Sequence, residues 1–89
     1  MISFEGQVVA ITGAGNGIGL ATARLMAAHG ARLVLTDIDK ARLEEVAAEL
    51  DASGQRVYTH ALDVAASADC DRVLERAAQH FGGLDHLVH

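Results

Sequence analysis

The sequence has a single cysteine, Cys70, among 89 residues, so no intrachain disulfide can form. That usage suits a reducing compartment, and Cys70 reads as a small buried hydrophobe on a helix stripe, with a reactive thiol as the alternative. No apolar run approaches the ~18 residues a membrane span requires. The start, Met1-Ile2-Ser3-Phe4-Glu5-Gly6, lacks the basic beginning and long apolar core of a signal peptide. A cytoplasmic location without a membrane partner is the expectation. Positive charge is scarce too: seven Lys and Arg spread along the chain against twelve Asp and Glu leave a net charge of −5, with no stripe or patch to hold nucleic acid. The histidines His29, His60, His80, His86 and His89 are scattered. His86 and His89, three apart on a strand, point to opposite faces, and no metal site is expected. Ser3, Ser53 and Ser67 lie near turns or a cap, with no nucleophile elbow around them.

What is present describes an ordinary globular chain, 51% apolar and 21% charged, long enough for one small domain with a thin core. Its organising stretch is Thr12-Gly13-Ala14-Gly15-Asn16-Gly17-Ile18-Gly19, between the apolar run Val8-Val9-Ala10-Ile11 and a helical pattern. Glycine lets the strand turn at Gly13, brings backbone N–H groups close to a ligand at Gly17 and allows helix to pack on strand at Gly19. The N-terminus of the following helix directs its N–H groups and positive dipole end at the same spot, where a pyrophosphate would sit. A glycine-rich turn without a ligand is the bland alternative. The spacing is neither G-x-G-x-x-G nor the lysine-bearing loop of nucleoside triphosphatases.

Periodicity divides the rest into strands and helices. Gln7 to Thr12 reads as a strand buried on both faces, Gly17 to His29 as helix one with Ile18, Ala21, Leu25 and Ala28 as its apolar face, and Gly30 as its terminal cap. Arg32 to Thr36 is a second strand and Lys40 to Leu50 a second helix, whose Leu43, Val46, Ala47 and Leu50 form one face. Arg56 to Leu62 is a third strand. Ser67 caps a third helix that carries Cys70, Val73, Leu74, Ala77, Ala78 and Phe81 and stops at Gly82-Gly83, before a fourth strand from Leu84. This alternation predicts a Rossmann-type α/β fold in three layers. Right-handed crossovers give a parallel sheet of order 3-2-1-4, with helices one and two on one face and helix three on the other. The crevice at the strand-order reversal lies beside the glycine turn.

Two further signals face that crevice. Asp37 ends the second strand about 20 residues past the turn, where a carboxylate can accept from the adenosine ribose hydroxyls. It would repel a 2′-phosphate, and no basic residue stands among Ala14 to Asn16 or at Ile38 and Asp39, so NAD is favoured over NADP. Capping of helix two is the other reading of Asp37, and Asp39 serves that purpose equally well. Asp63-Val64 follows the third strand, where an aspartate is also ordinary turn chemistry.

The pattern T-G-x-x-x-G-I-G at Thr12 to Gly19, with Phe4 to Val8, Asp37, Asp63-Val64 and Phe81 to Val88, resembles the classical short-chain dehydrogenase/reductase family along the whole chain. The resemblance implies that Gly13, Asn16, Gly17, Ile18 and Gly19 surround the pyrophosphate and adenosine side of NAD(H), that Asp37 holds the ribose, and that Asp63 and Val64 hold adenine. It also implies hydride transfer between nicotinamide and an alcohol or carbonyl substrate. The family's acid/base tyrosine with a lysine four residues later has no counterpart: the one tyrosine is Tyr58, position 62 is leucine and the one lysine is Lys40. No catalytic residue is assigned. His89 stands where the family often has asparagine.

The chain therefore reads as a single, incomplete dinucleotide-binding domain over residues 1–89, truncated after its fourth strand, that meets its small-molecule substrate only in a full-length form. The alternative is a natural short module that binds dinucleotide or a protein partner without catalysis. An open edge at strand four and a thinly covered sheet face predict self-association.

Overall fold

The computed structural model describes residues 3–51, 55–61, 71–72, 75 and 79–88. Strand β1 (Val8–Ile11) leads through the glycine turn into helix α1 (Gly17–Ala28); β2 (Arg32–Asp37), α2 (Lys40–Leu50), β3 (Val57–Ala61) and β4 (His86–Val88) follow. β1, β3 and β4 begin a residue or more after the expected starts at Gln7, Arg56 and Leu84, whereas β2 starts at Arg32 as expected and extends to include Asp37. Asp71, Arg72, Glu75 and residues 79–81 are helical, while the expected cap Ser67 and the stripe residues Cys70, Val73, Leu74, Ala77 and Ala78 lie outside the described residues.

All strand pairs are parallel and the sheet order is β3-β2-β1-β4, as the alternation of elements and right-handed crossovers predict. The register sets Val9 beside Leu33 and Ile11 beside Leu35, and places Val88 beside Ile11 on the other flank. Because strand side chains alternate, the sheet feeds two cores. Val9, Ile11, Leu33, Leu35 and Val57 meet Leu20, Ala23, Leu43 and Val46 under α1 and α2. On the opposite face Val8, Ala10 and Val34 pack with Tyr58, Phe81 and Leu84. Burial on both sides explains why β1 reads Val-Val-Ala-Ile without a polar alternate, all four residues being buried.

Helix α1 departs from its expected face. Ile18 is 85% exposed and Leu25 55% exposed, whereas Leu20 and Ala23 are buried and Met26 and Ala27 pack against them. The cause lies at Gly19, where an added Cβ would run into the Gly13 carbonyl. That backbone contact fixes the rotation of the helix, and positions four and seven to eight residues on from Gly19 turn inward with it. The helix ends at His29 and Gly30, whose N–H groups donate to the Met26 and Ala27 carbonyls at 3.1 Å each.

Helix α2 presents the face its spacing predicts, with Leu43 and Val46 buried and Ala47 and Leu50 packed beside them. Its first turn is capped by Asp39, whose Oδ1 accepts from the Arg42 N–H at 3.1 Å. Among the described residues, no helix is long and apolar enough to cross a membrane.

Candidate functional site

The glycine turn is tied down by three bonds to the C-terminal ends of β4 and β2. The Thr12 N–H donates to the Val88 carbonyl of β4 at 2.9 Å, and the Ala14 N–H donates to the Thr36 carbonyl of β2 at 2.9 Å. The Gly15 N–H donates to Asp37 Oδ2 at 3.0 Å. Gly13 and Gly17 have φ of +62° and +58°, the left-handed region that costs side-chain-bearing residues strain. A Cβ at Gly17 would meet nothing within 4 Å, so this glycine serves a backbone conformation and leaves the turn open above it.

Helix α1 begins directly from this turn. Asn16 is its N-cap, extended at φ −149° and ψ 165°, and its side chain makes no cap bond. The first helical bond runs from the Leu20 N–H to the Asn16 carbonyl at 3.3 Å. The N–H groups of Gly17, Ile18 and Gly19 precede it and carry the positive end of the helix dipole, an arrangement suited to an anion. Ile18 is the most exposed large apolar side chain at this end.

Asp37 and Asp39 divide the two readings open to them. Asp39 caps α2, while Asp37 turns to the glycine loop, its Oδ2 on Gly15 and its Oδ1 accepting from the Asp39 N–H at 3.1 Å. A carboxylate offers about four lone-pair positions, so these backbone bonds leave acceptor capacity on both oxygens. That capacity matches a vicinal pair of hydroxyls. The structure thus brings Gly13, Asn16, Gly17, Ile18, Gly19 and Asp37 to one end of the sheet. Asp63 and Val64 lie outside the described residues.

Two residues at the site have no place among the sequence candidates. Gly15 has an ordinary backbone angle, but a Cβ on it would come 2.9 Å from Asp37 Oδ2 and 3.0 Å from Arg42 Cγ. Arg42, in the first turn of α2, donates from Nε to the Gly15 carbonyl at 2.8 Å and from Nη1 to Glu45 Oε2 at 3.0 Å. The signal for Arg42 is its position three residues past the cap Asp39, where a helical side chain leans back toward the N-terminus.

Tyr58 lies on the far face of the sheet, its ring 4.4 Å from that of His80, which in turn meets Phe81 edge to face at 4.5 Å. It belongs to the second core and not to the turn.

The family model described as short chain dehydrogenase matches residues 7–89. The chain is 48% identical over 84 residues to 11-beta-hydroxysteroid dehydrogenase 1A of Arabidopsis thaliana, covering 93% of this chain and 24% of that protein. Its fold superposes with a TM-score of 0.88 on a short chain dehydrogenase/reductase of Burkholderia phymatum in complex with NAD, at 37% identity, covering 98% of this chain and 31% of that one. It superposes with a TM-score of 0.86 on the C-domain of a bacterial malonyl-CoA reductase with NADP, at 27% identity, covering 93% of this chain and 14% of that one. The chain spans between 14% and 32% of the length of curated relatives such as these. A Rossmann sheet of order 3-2-1-4, a glycine turn braced by the acidic end of β2 and a match from residue 7 to residue 89 lead to one conclusion: the chain belongs to the short chain dehydrogenase family.

Proposed function

We propose that this chain binds NAD(H) over the C-terminal ends of β1 and β2 and forms the dinucleotide-binding part of an oxidoreductase acting on an alcohol or carbonyl substrate. The observation that carries the reading is the bond from the Gly15 N–H to Asp37 Oδ2, which joins the glycine turn to the acidic end of β2. The pyrophosphate lies on the N–H groups of Gly17, Ile18 and Gly19, with Gly13 shaping the turn and Asn16 beside it. Asp37 accepts from the ribose hydroxyls. By resemblance, Asp63 and Val64 meet adenine.

When bound, the nicotinamide supplies the carbon that gives or takes the hydride. The residues of this chain bind and orient the dinucleotide, and none of them is assigned proton transfer. Preference for NAD follows from charge: a phosphate on the 2′ oxygen meets the Asp37 carboxylate, and like charges at that range repel.

Titration with NADH followed by fluorescence, with NADPH as competitor, tests the reading. Saturable NADH binding that NADPH displaces only at higher concentration is expected. Gly17→Val, which forces a β-branched residue into a left-handed backbone and covers the open turn, is expected to weaken NADH binding at least tenfold. No saturable signal, or equal binding by Gly17→Val, overturns the site, and a preference for NADPH overturns the role of Asp37.

A further inference from the structure

We propose that Arg42 is a second determinant of which dinucleotide the site accepts: it stands beside the ribose position and takes the 2′-phosphate of NADP once the Asp37 carboxylate is neutralised. This inference rests on the reading above that the glycine turn and Asp37 hold a dinucleotide. In sequence, Asp37 has no basic neighbour between Thr36 and Asp39. In the fold it has one, because the cap at Asp39 starts α2 so that its third residue leans back over the turn.

Arg42 and Asp37 grip opposite ends of the same residue. Arg42 Nε holds the Gly15 carbonyl at 2.8 Å and Asp37 Oδ2 holds the Gly15 N–H at 3.0 Å. A methyl group on Gly15 would touch both side chains, Asp37 Oδ2 at 2.9 Å and Arg42 Cγ at 3.0 Å, so they flank one spot. The guanidinium is also drawn by Glu45 through Nη1 at 3.0 Å, and the Arg42 side chain is one-third exposed, with 33% of its surface open to solvent. A guanidinium carries more N–H donors than these bonds engage, in a planar fork that matches a phosphate. As the chain stands, the Asp37 carboxylate repels the phosphate and Glu45 offsets the cation. Removing the Asp37 charge leaves the guanidinium beside the ribose, still paired with Glu45 through Nη1 but with more N–H donors than that bond and the Gly15 bond engage.

The test compares NADH and NADPH binding to this chain and to Asp37→Asn, Asp37→Asn/Arg42→Met and Asp37→Asn/Arg42→Lys, with circular dichroism confirming the helical content of each. Asp37→Asn is expected to shift the NADPH to NADH affinity ratio tenfold or more toward NADPH, and Arg42→Met in that background to reverse most of the shift. Arg42→Lys keeps the charge and is expected to retain NADPH binding that Arg42→Met loses. No gain of NADPH binding in Asp37→Asn overturns the proposal. So does a gain that survives Arg42→Met, or an equal loss of both dinucleotides on removing Arg42, which would mark a purely structural brace for Gly15. Failure of the underlying reading shows elsewhere, as absence of saturable NADH binding by the unsubstituted chain, whereas failure of the Arg42 role alone shows as saturable NADH binding with a cofactor ratio that Arg42→Met leaves unchanged in the Asp37→Asn background.

Discussion

Thr36 is fully buried at the end of β2, and its Oγ1 finds no hydrogen-bond partner among the described residues, although its carbonyl accepts from Ala14. A buried hydroxyl without a partner carries its desolvation cost uncompensated, and an isosteric apolar replacement removes that cost. Thr36→Val is expected to raise stability by about 1 kcal/mol, read as a higher denaturant midpoint at unchanged slope. A lower midpoint would mean that the hydroxyl is bonded in solution. The neighbouring Asp37 shows what a sequence reading can reach at this scale. Its place at the end of a strand about 20 residues past the turn is enough to nominate it, because strand and turn geometry fix that spacing. Arg42 and Gly15 escape the same reading for a physical reason. Gly15 needs no special φ, so only the side chains folded against it reveal why a Cβ does not fit. Arg42 reaches the turn across the start of a helix, a contact that spacing along a strand does not express.

At the scale of elements, the alternation of strands and helices carries the order 3-2-1-4, since crossover handedness leaves little choice once the segments are drawn. The rotation of a helix is less legible. In α1, Ile18, Ala21, Leu25 and Ala28 recur at helical spacing, yet Leu20 and Ala23 are the residues buried, because a glycine-to-carbonyl contact at the turn sets the rotation. A helix rich in alanine and leucine offers more than one apolar face, and backbone proximity decides between them. The two helices on this side are joined by Arg24 and Glu49, with Nε to Oε2 at 3.1 Å and Nη2 to Oε1 at 2.9 Å. The Arg24 hydrogen bond holds the Glu49 carboxyl below the usual carboxylate range. A carboxylate depressed in the folded state contributes its stability above its unfolded pKa and loses it as pH falls through the folded one. Exposed pairs of this kind are worth little. Glu49→Gln is expected to lower the melting temperature slightly at about pH 7, and the gap to narrow as pH falls through and below the usual carboxylate range. A gap that persists undiminished in acid would show that the carboxylate charge is not its source.

One sheet face is buried under two helices, and among the described residues a second core gathers on the other face, with Val8, Ala10 and Val34 at its centre. Among the described residues, the large apolar side chains left in water fall into two groups. Ile18 and Ile38, 85% and 74% exposed, flank the glycine turn and the end of β2, where a bound dinucleotide would lie. Leu25 and Leu87, 55% and 43% exposed, stand away from it and from each other: Leu25 lies on the outside of α1, and Leu87 lies on β4 beside Ala10, on the sheet face opposite α1 and at the edge of the sheet among the described residues. Exposed apolar side chains, one of them on a strand edge left unpaired among the described residues, favour association between copies. The weight-average mass in sedimentation is therefore expected to rise with concentration, and to fall toward the monomer in Leu25→Glu/Leu87→Glu. Because the contact is apolar, high salt should not dissolve it and cooling should loosen it. NADH bound as proposed would cover the first group and not the second, so saturating NADH is expected to leave the association in place. A chain that stays monomeric at every concentration would show that these leucines are covered from within, whereas dissociation by NADH would move the contact to Ile18 and Ile38 and make dinucleotide binding and self-association mutually exclusive.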